Sequence, residues 1–228
     1  MYKKISNIGD SAVVCDFGDE VNQAVNNRVI KLFHFIKRQS ALGNIVGVLN
    51  CTPSYNKLII SFDLSITNYL KLKKIIENLN IDKDIKKNNQ KIKIPVCSDD
   101  EYGLDFDRLS KKLNLSKEEI LKLYFDNEYF CYMTGFIAGM PFLGNVNEKI
   151  RCERLETPRV IVPEGSVGIT EQFANIYTFE SPGGWNIIGN TPKKIFQKSN
   201  LQDPALIKPG DKIIFYSISK EEYLKFND

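Results

Sequence analysis

The residues of this 228-residue chain that could do chemistry are one histidine, five scattered cysteines and a set of loops past residue 134 rich in glycine and proline. With His34 alone, a Ser-His-Asp site would have to use that ring, and a multi-histidine metal site is excluded. His34 falls between Phe33 and Phe35 on a helical repeat, where a packing or surface role fits. The cysteines (Cys15, Cys51, Cys97, Cys131, Cys152) are odd in number and form no C-x-x-C pair. That pattern predicts reduced thiols in a cytoplasmic protein, and neither a disulfide framework nor a zinc site.

The densest loop is Ser181-Pro182-Gly183-Gly184-Trp185-Asn186-Ile187-Ile188-Gly189-Asn190-Thr191-Pro192, which holds the only tryptophan. Pro182 fixes one φ angle, and Gly183-Gly184 can take values closed to other residues. The segment can bring backbone N–H groups to a surface beside a large ring, as a ligand-binding loop requires. As a bare pattern it equally describes a turn leading into a strand. No Gly-x-x-x-x-Gly-Lys-Ser/Thr run exists, so a phosphate-cradling P-loop is excluded.

The elements that must position these loops change in grammar near residue 90. In the first half, Ser11–Phe17 reads as a strand. Val21, Val25, Val29, Leu32, Phe33 and Ile36 then recur at helical steps, and Gly43 sits past the end as a stop signal. Ile45–Leu49 and Leu58–Phe62 are short strands around a Thr52–Asn56 turn, and a second helical pattern runs through Leu70, Ile75, Ile76 and Leu79. Strand-helix-strand-strand-helix suits a small open sheet with helices on one face. Residues 71–93 carry eight lysines against three acids, read as a solvated helix face and linker because no arginine or aromatic is interleaved.

The second half begins with a strand at Ile92–Val96, a short helix around Asp105–Leu113 and a capping box in which Ser116 faces Glu119. Short strands with Gly/Pro turns follow, at Tyr129–Phe136, Arg159–Val162, Ser166–Ile169, Ile176–Phe179, Trp185–Ile188 and Ile213–Ser217. They predict a β-barrel or sandwich. Seven of the nine prolines lie beyond residue 134. Hydrophobic content of 43%, charged content of 26% and a net charge of +3 are ordinary for a globular protein and do not point to nucleic acid. The start shows no secretion signal. The uncharged run Tyr129–Asn147 contains three glycines and a proline and reads as strand and loop, so no membrane span is expected.

Three loops, Gly135–Gly144, Thr157–Ile169 and Ser181–Pro192, taken in order, resemble the B subunit family of bacterial ATP-dependent 5-oxoprolinase. That family also carries the name allophanate hydrolase subunit 1 and includes an inhibitor of a sporulation histidine kinase. Gly9-Asp10-Ser11-Ala12, Ile94-Pro95-Val96-Cys97 and Glu101-Tyr102-Gly103 extend the resemblance over nearly the whole chain. It implies an α+β protein, with a small N-terminal α/β sandwich domain over residues 1–90 and a cyclophilin-like β-barrel over residues 91–228. It also implies partners, namely homologues of the C and A subunits of that enzyme, and ATP shared with them. The substrate it implies is a small cyclic amide, 5-oxoproline, opened to glutamate.

A lactam is a poor electrophile, so its activation needs donors aimed at developing negative charge. Arg159 is the guanidinium candidate, with Gly165, Ser166, Gly183 and Gly184 as donors, Gly139 and Pro141 as a rim and Trp185 as a wall. No residue is assigned as catalytic, and no metal site is expected. The chain departs from the family pattern at Phe173, Ala174 and Asn175, where Gln, Thr and Gly are usual, and at Tyr124, where a histidine is common. The alternative reading is a non-catalytic regulator docking on a histidine kinase. Allophanate hydrolysis ranks last, because the chain shows no serine–lysine amidase pattern.

Overall fold

A computed structural model of the chain describes residues 2–79 and 90–226, in two compact units, Met1–Asn88 and Asn89–Asp228. The lysine-rich stretch at 80–89 lies outside the described residues.

The first unit is built from β1 (Lys4–Ile8), β2 (Ala12–Asp16), α1 (Gln23–Ala41), β3 (Val48–Pro53), β4 (Lys57–Phe62) and α2 (Tyr69–Glu77). Its antiparallel sheet runs β1-β2-β4-β3. Alternation places Val13, Cys15, Leu58 and Ile60 on one face, where Val25, Val29, Leu32 and Ile36 of α1 and Leu72 and Ile76 of α2 cover them. Asn22 caps α1 through the Val25 N–H at 2.9 Å, and Gly43 ends it at φ +75°. His34 is on the exposed side of α1, beside the Phe33 ring. β1 has no sequence signal, since Ile5 is its one buried side chain.

The second unit contains β5 (Lys91–Val96), α3 (Phe106–Leu113), α4 (Lys117–Phe125), β6 (Glu128–Thr134), β7 (Pro141–Gly144), β8 (Arg159–Val162), β9 (Ser166–Thr170), β10 (Phe173–Ile176), β11 (Ser181–Gly183), β12 (Asn186–Asn190), β13 (Lys212–Ser217) and α5 (Lys220–Leu224). Seven of these strands form one sheet, ordered β12-β9-β10-β7-β6-β13-β5, antiparallel except for β13 with β5. The sheet curls until its edge strands meet. Cys97 and Asn190 exchange two backbone hydrogen bonds of 2.9 Å just past β5 and at the end of β12. Pro95 is tolerated in β5 because that strand pairs through a ladder on one side. β8 and β11 form a separate two-stranded ribbon.

The barrel interior holds Ile94, Tyr129, Cys131, Leu143, Val167, Ile169, Ala174, Ile176 and Ile213, closed by Leu109 of α3 and Ile120 and Tyr124 of α4. Ser116 and Glu119 form both halves of the capping box that starts α4. All five cysteines are free thiols.

The strand expected at Ile176–Phe179 is found at Phe173–Ile176 instead. It follows β9 after a two-residue turn, Glu171-Gln172, in which Glu171 sits at φ +45°. Neither residue is a usual occupant of such a turn, so the sequence carries no stop signal there. The shift fixes which side chains face where. Ala174 and Ile176 enter the barrel core, while Phe173 and Asn175 point to its outer surface.

Tyr124 is fully buried among the rings of Tyr129, Phe125 and Phe215, and its hydroxyl has no hydrogen-bond partner among the described residues. Burying an unpaired hydroxyl opposes folding. Tyr124→Phe is therefore expected to stabilise the chain by about 1 kcal/mol, read as a higher denaturation midpoint at unchanged urea dependence. A lower midpoint would show that the hydroxyl is satisfied.

Candidate functional site

The ribbon of β8 and β11 pairs Gly183 with Arg159, the first residue of β8. The Arg159 side chain is 27% exposed, and its Nη2 meets Asp105 Oδ1 at 2.7 Å. Asp105 is 5% exposed and binds β12 twice: its Oδ2 accepts the Ile187 N–H at 2.6 Å, and its own N–H donates to the Ile187 carbonyl at 3.1 Å. Asp105 stands at the N-cap of α3 yet makes no side-chain capping bond, because both carboxylate oxygens are engaged elsewhere. Nη1 of Arg159 is buried with no partner among the described residues. Arg108 shows the contrast: its Nη1 reaches Asn186 and Cys152, and its Nη2 reaches Glu153 and the Arg154 carbonyl. That guanidinium is spent on structure; Arg159 keeps one nitrogen in reserve.

Gly183 is where Tyr177 approaches. A Cβ on Gly183 would stand 2.0 Å from the Tyr177 hydroxyl, so no larger residue fits. Burial pushes the Tyr177 phenol up, opposed by the Asn175 side chain, the Trp185 backbone N–H and the charges of Arg154 and Arg159. Asn175 is completely buried, and neither Oδ1 nor Nδ2 makes an aligned hydrogen bond among the described residues. Gly168 on the neighbouring strand lies under it, since a Cβ there would come within 2.7 Å of Asn175 Oδ1 and 3.0 Å of Trp185 Cβ. Trp185 is 4% exposed, edge-on to Phe142, with the Arg154 guanidinium over its ring at 5.7 Å. Arg159, Gly183, Tyr177, Asn175 and Trp185 are thus contiguous, with Gly184 beside them accepting the Leu155 N–H at 2.8 Å.

The other sequence candidates lie elsewhere. Gly165 takes φ +80° and abuts Asn190 and Thr191, where a Cβ would meet two oxygens at 2.5 Å. Its N–H donates to the Tyr177 carbonyl at 2.7 Å, and the Ser166 N–H to Pro163 at 3.2 Å. The Gly165 N–H is thus taken by Tyr177 and the Ser166 N–H by its own turn, so neither backbone donor is open to a ligand. Gly165 lines a cleft of about 220 Å³ together with Glu164, Asn190, Lys193, Lys194, Tyr223 and Tyr177, the last shared with the Arg159 cluster. Gly139 takes φ +71° and packs under Phe196, and Pro141 opens β7 as a buried residue. The Phe173 ring packs edge-on against Tyr132 and does not line the cleft. Nothing in the sequence marks Asp105, Tyr177 or Tyr223 as a site residue. Asp105 has only the ordinary signal of a helix start, and the two tyrosines stand outside any motif of their own.

Among the described residues there is no group of three or more His, Cys, Asp and Glu side chains that could hold a metal ion. No described helix is long and apolar enough to cross a membrane.

Residues 3–207 match the family described as carboxyltransferase domain, subdomain C and D. The chain is 32% identical over 237 residues to the 5-oxoprolinase B subunit of Bacillus subtilis, covering 99% of this chain and 97% of that one. It is 32% identical over 208 residues to the 5-oxoprolinase B subunit of Haemophilus influenzae, covering 91% and 94%. Among solved structures, TTHA0988 superposes with a TM-score of 0.81 at 27% identity, over 92% of this chain. The chain spans 40% of the length of TTHA0988.

The paired carboxylate and guanidinium yield one direct expectation. Removing Asp105 leaves the partly buried Arg159 charge and the Ile187 N–H unmatched. Asp105→Ala should cost about 3 kcal/mol of stability, measured by urea unfolding. A cost below about 0.5 kcal/mol would place the pair in the class of surface ion pairs that contribute little.

Proposed function

The chain belongs to the carboxyltransferase subdomain C and D family, and from that premise we propose that it is the B subunit of a heteromeric, ATP-dependent 5-oxoprolinase. The observation that carries this reading is the end-to-end match, over 97% of its length, to a protein of that name. In the reaction, 5-oxoproline, water and ATP become glutamate, ADP and phosphate. ATP supplies the phosphoryl group that makes the lactam oxygen able to leave. The assembly would include homologues of the A and C subunits, with ATP shared among them.

The arginine cluster supplies chemistry suited to that substrate. A lactam is a cis amide, so its N–H and C=O lie on one edge of the ring. The Asn175 carboxamide likewise offers an acceptor and donors on one edge, and two parallel hydrogen bonds can join them. The Asn175 side chain is completely buried and meets the Tyr177 hydroxyl, a contact that a complementary ligand edge would share or replace. Arg159 Nη1, buried without a partner among the described residues, suits the charge that develops on the lactam oxygen. Asp105 keeps the guanidinium in place, and Tyr177, raised above an ordinary phenol, stays neutral near pH 7. Gly183, Gly184 and Trp185 shape this cluster; Gly165, Ser166, Gly139 and Pro141 act through the loops that surround it.

The departures from the resembled family fit this placement. Ala174 faces the barrel core and Phe173 seats on Tyr132, so neither stands in the Arg159 cluster. Asn175, on the outward face, carries the amide function instead.

Glutamate release from 5-oxoproline and ATP, with this chain and its A- and C-type partner homologues, tests the assignment. Arg159→Ala should lower kcat/KM about 100-fold or more, the scale of losing one donor to developing charge. Asn175→Ala should raise KM about tenfold with a smaller change in kcat. Absence of glutamate, with partners shown to be folded and bound, would overturn the 5-oxoproline assignment and return weight to a regulatory role.

A further inference from the structure

We propose that Arg154 is the carboxylate receptor of this chain, a specificity-determining residue that grips the anionic group of a small carboxylic acid whose amide end is served by Arg159. The choice of acid rests on the 5-oxoproline reading, since that molecule carries a carboxylate and a lactam on one ring.

Arg154 is exposed and lies within residues 151–158, a stretch with no helix or strand. The backbone there is nonetheless held at three successive residues. Asn186 Nδ2 donates to the Glu153 carbonyl at 3.0 Å, Arg108 Nη2 to the Arg154 carbonyl at 3.3 Å, and the Leu155 N–H to the Gly184 carbonyl at 2.8 Å. These bonds tie the segment to β12, to α3 and to the glycine loop. The base of the Arg154 side chain is thus in place before any ligand arrives, which favours affinity.

The side chain itself is uncommitted. Its guanidinium lies over the Trp185 ring at 5.7 Å and makes no ion pair or side-chain hydrogen bond among the described residues. The adjacent carboxylate, Glu153, is turned to Arg108 and Lys112 instead. Of the three arginines here, Arg108 is spent on structure, Arg159 is half spent on Asp105, and Arg154 faces no carboxylate. A cation over an aromatic face keeps its in-plane N–H donors, and a carboxylate can take two of them in parallel.

The two available guanidinium groups belong to one neighbourhood. The charges of Arg154 and Arg159 both act on the Tyr177 phenol, which puts both cations within electrostatic reach of one hydroxyl. They divide the work by the kind of charge each meets. Arg159 suits charge that develops on the lactam oxygen, whereas the carboxylate is charged throughout the reaction. Arg154 therefore contributes to binding and leaves the chemical step to other groups.

Trp185 is the chain's one tryptophan, so its emission reports on the ring beneath Arg154. The test titrates the full chain, by emission and calorimetry, with three probes: 5-oxoproline, 2-pyrrolidinone (the same lactam without the carboxylate) and cyclopentanecarboxylate (the carboxylate without the lactam). 5-Oxoproline should bind about tenfold or more tightly than 2-pyrrolidinone. Arg154→Gln should erase that preference by weakening 5-oxoproline alone. Arg154→Lys should restore part of it, because an ammonium keeps the charge and loses the planar fork. Equal weakening of both lactams would mean that Arg154 only covers Trp185, and it overturns the proposal. So does an affinity for 5-oxoproline unchanged in Arg154→Gln, or no saturable signal with either acid. Arg154-dependent binding of cyclopentanecarboxylate but not of 5-oxoproline keeps the carboxylate site and sinks the 5-oxoproline reading.

Discussion

The arrangement around Arg159 depends on one buried carboxylate. Asp105 grips β12 through the Ile187 N–H, starts α3, and holds the first residue of β8 through its guanidinium. A carboxylate at 5% exposure would be costly alone, because desolvation of a charge exceeds what one neutral hydrogen bond returns. Here it is matched by a cation and a backbone donor, and the cation is matched in turn. The geometry also rations the guanidinium. Asp105 uses Nη2 and leaves Nη1 without a partner among the described residues, so charge and orientation are fixed while one donor stays available. Pre-oriented donors in a partly dry site are what stabilisation of developing charge requires.

Close approach is the second constraint. Gly183 admits the Tyr177 hydroxyl, Gly168 admits the Asn175 amide against Trp185, and Gly165 lets its turn lie against Asn190 and Thr191. A Cβ at any of these would stand within 3.0 Å of a neighbour, so each glycine sets a distance between two strands or loops. The Gly-rich loops thus act through the side chains they let in. Their backbone donors at Gly165 and Ser166 are already bonded within the protein.

The sequence makes regular, amphipathic features legible. The three-four spacing of α1, its stop at Gly43 and the Ser116–Glu119 capping box are local signals, and the structure carries each of them. β1 and β11 are hidden because few of their side chains are buried, and β11 contains a proline in three residues. The register of β10 is hidden because Glu171-Gln172 makes a tight turn with residues that favour none, stabilised by neighbours such as the Glu171 N–H to the Cys152 carbonyl at 2.7 Å. At the site, Arg159 is legible by its company of prolines and glycines. Asp105 is not, since its partner is 54 residues away and its position resembles an ordinary helix cap. Pairings of that kind exist only after the chain has folded.

Strand alternation decides how the unusual run Phe173-Ala174-Asn175 is to be understood. Read as a string, it replaces two polar residues of the resembled family by apolar ones. Folded, the three side chains go to different environments: Phe173 onto the Tyr132 ring, Ala174 into the barrel core, Asn175 into the cluster with Tyr177 and Trp185. A small apolar residue suits the core position at no cost, because a hydroxyl there would need a buried partner. The polarity that matters is the one on the outward face, and there the chain carries a carboxamide whose two functional atoms the fold leaves without an aligned hydrogen bond among the described residues. The Asn175 side chain instead meets the Tyr177 hydroxyl, whose close approach Gly183 permits, so one strand register and one glycine together bring the amide and the phenol into contact.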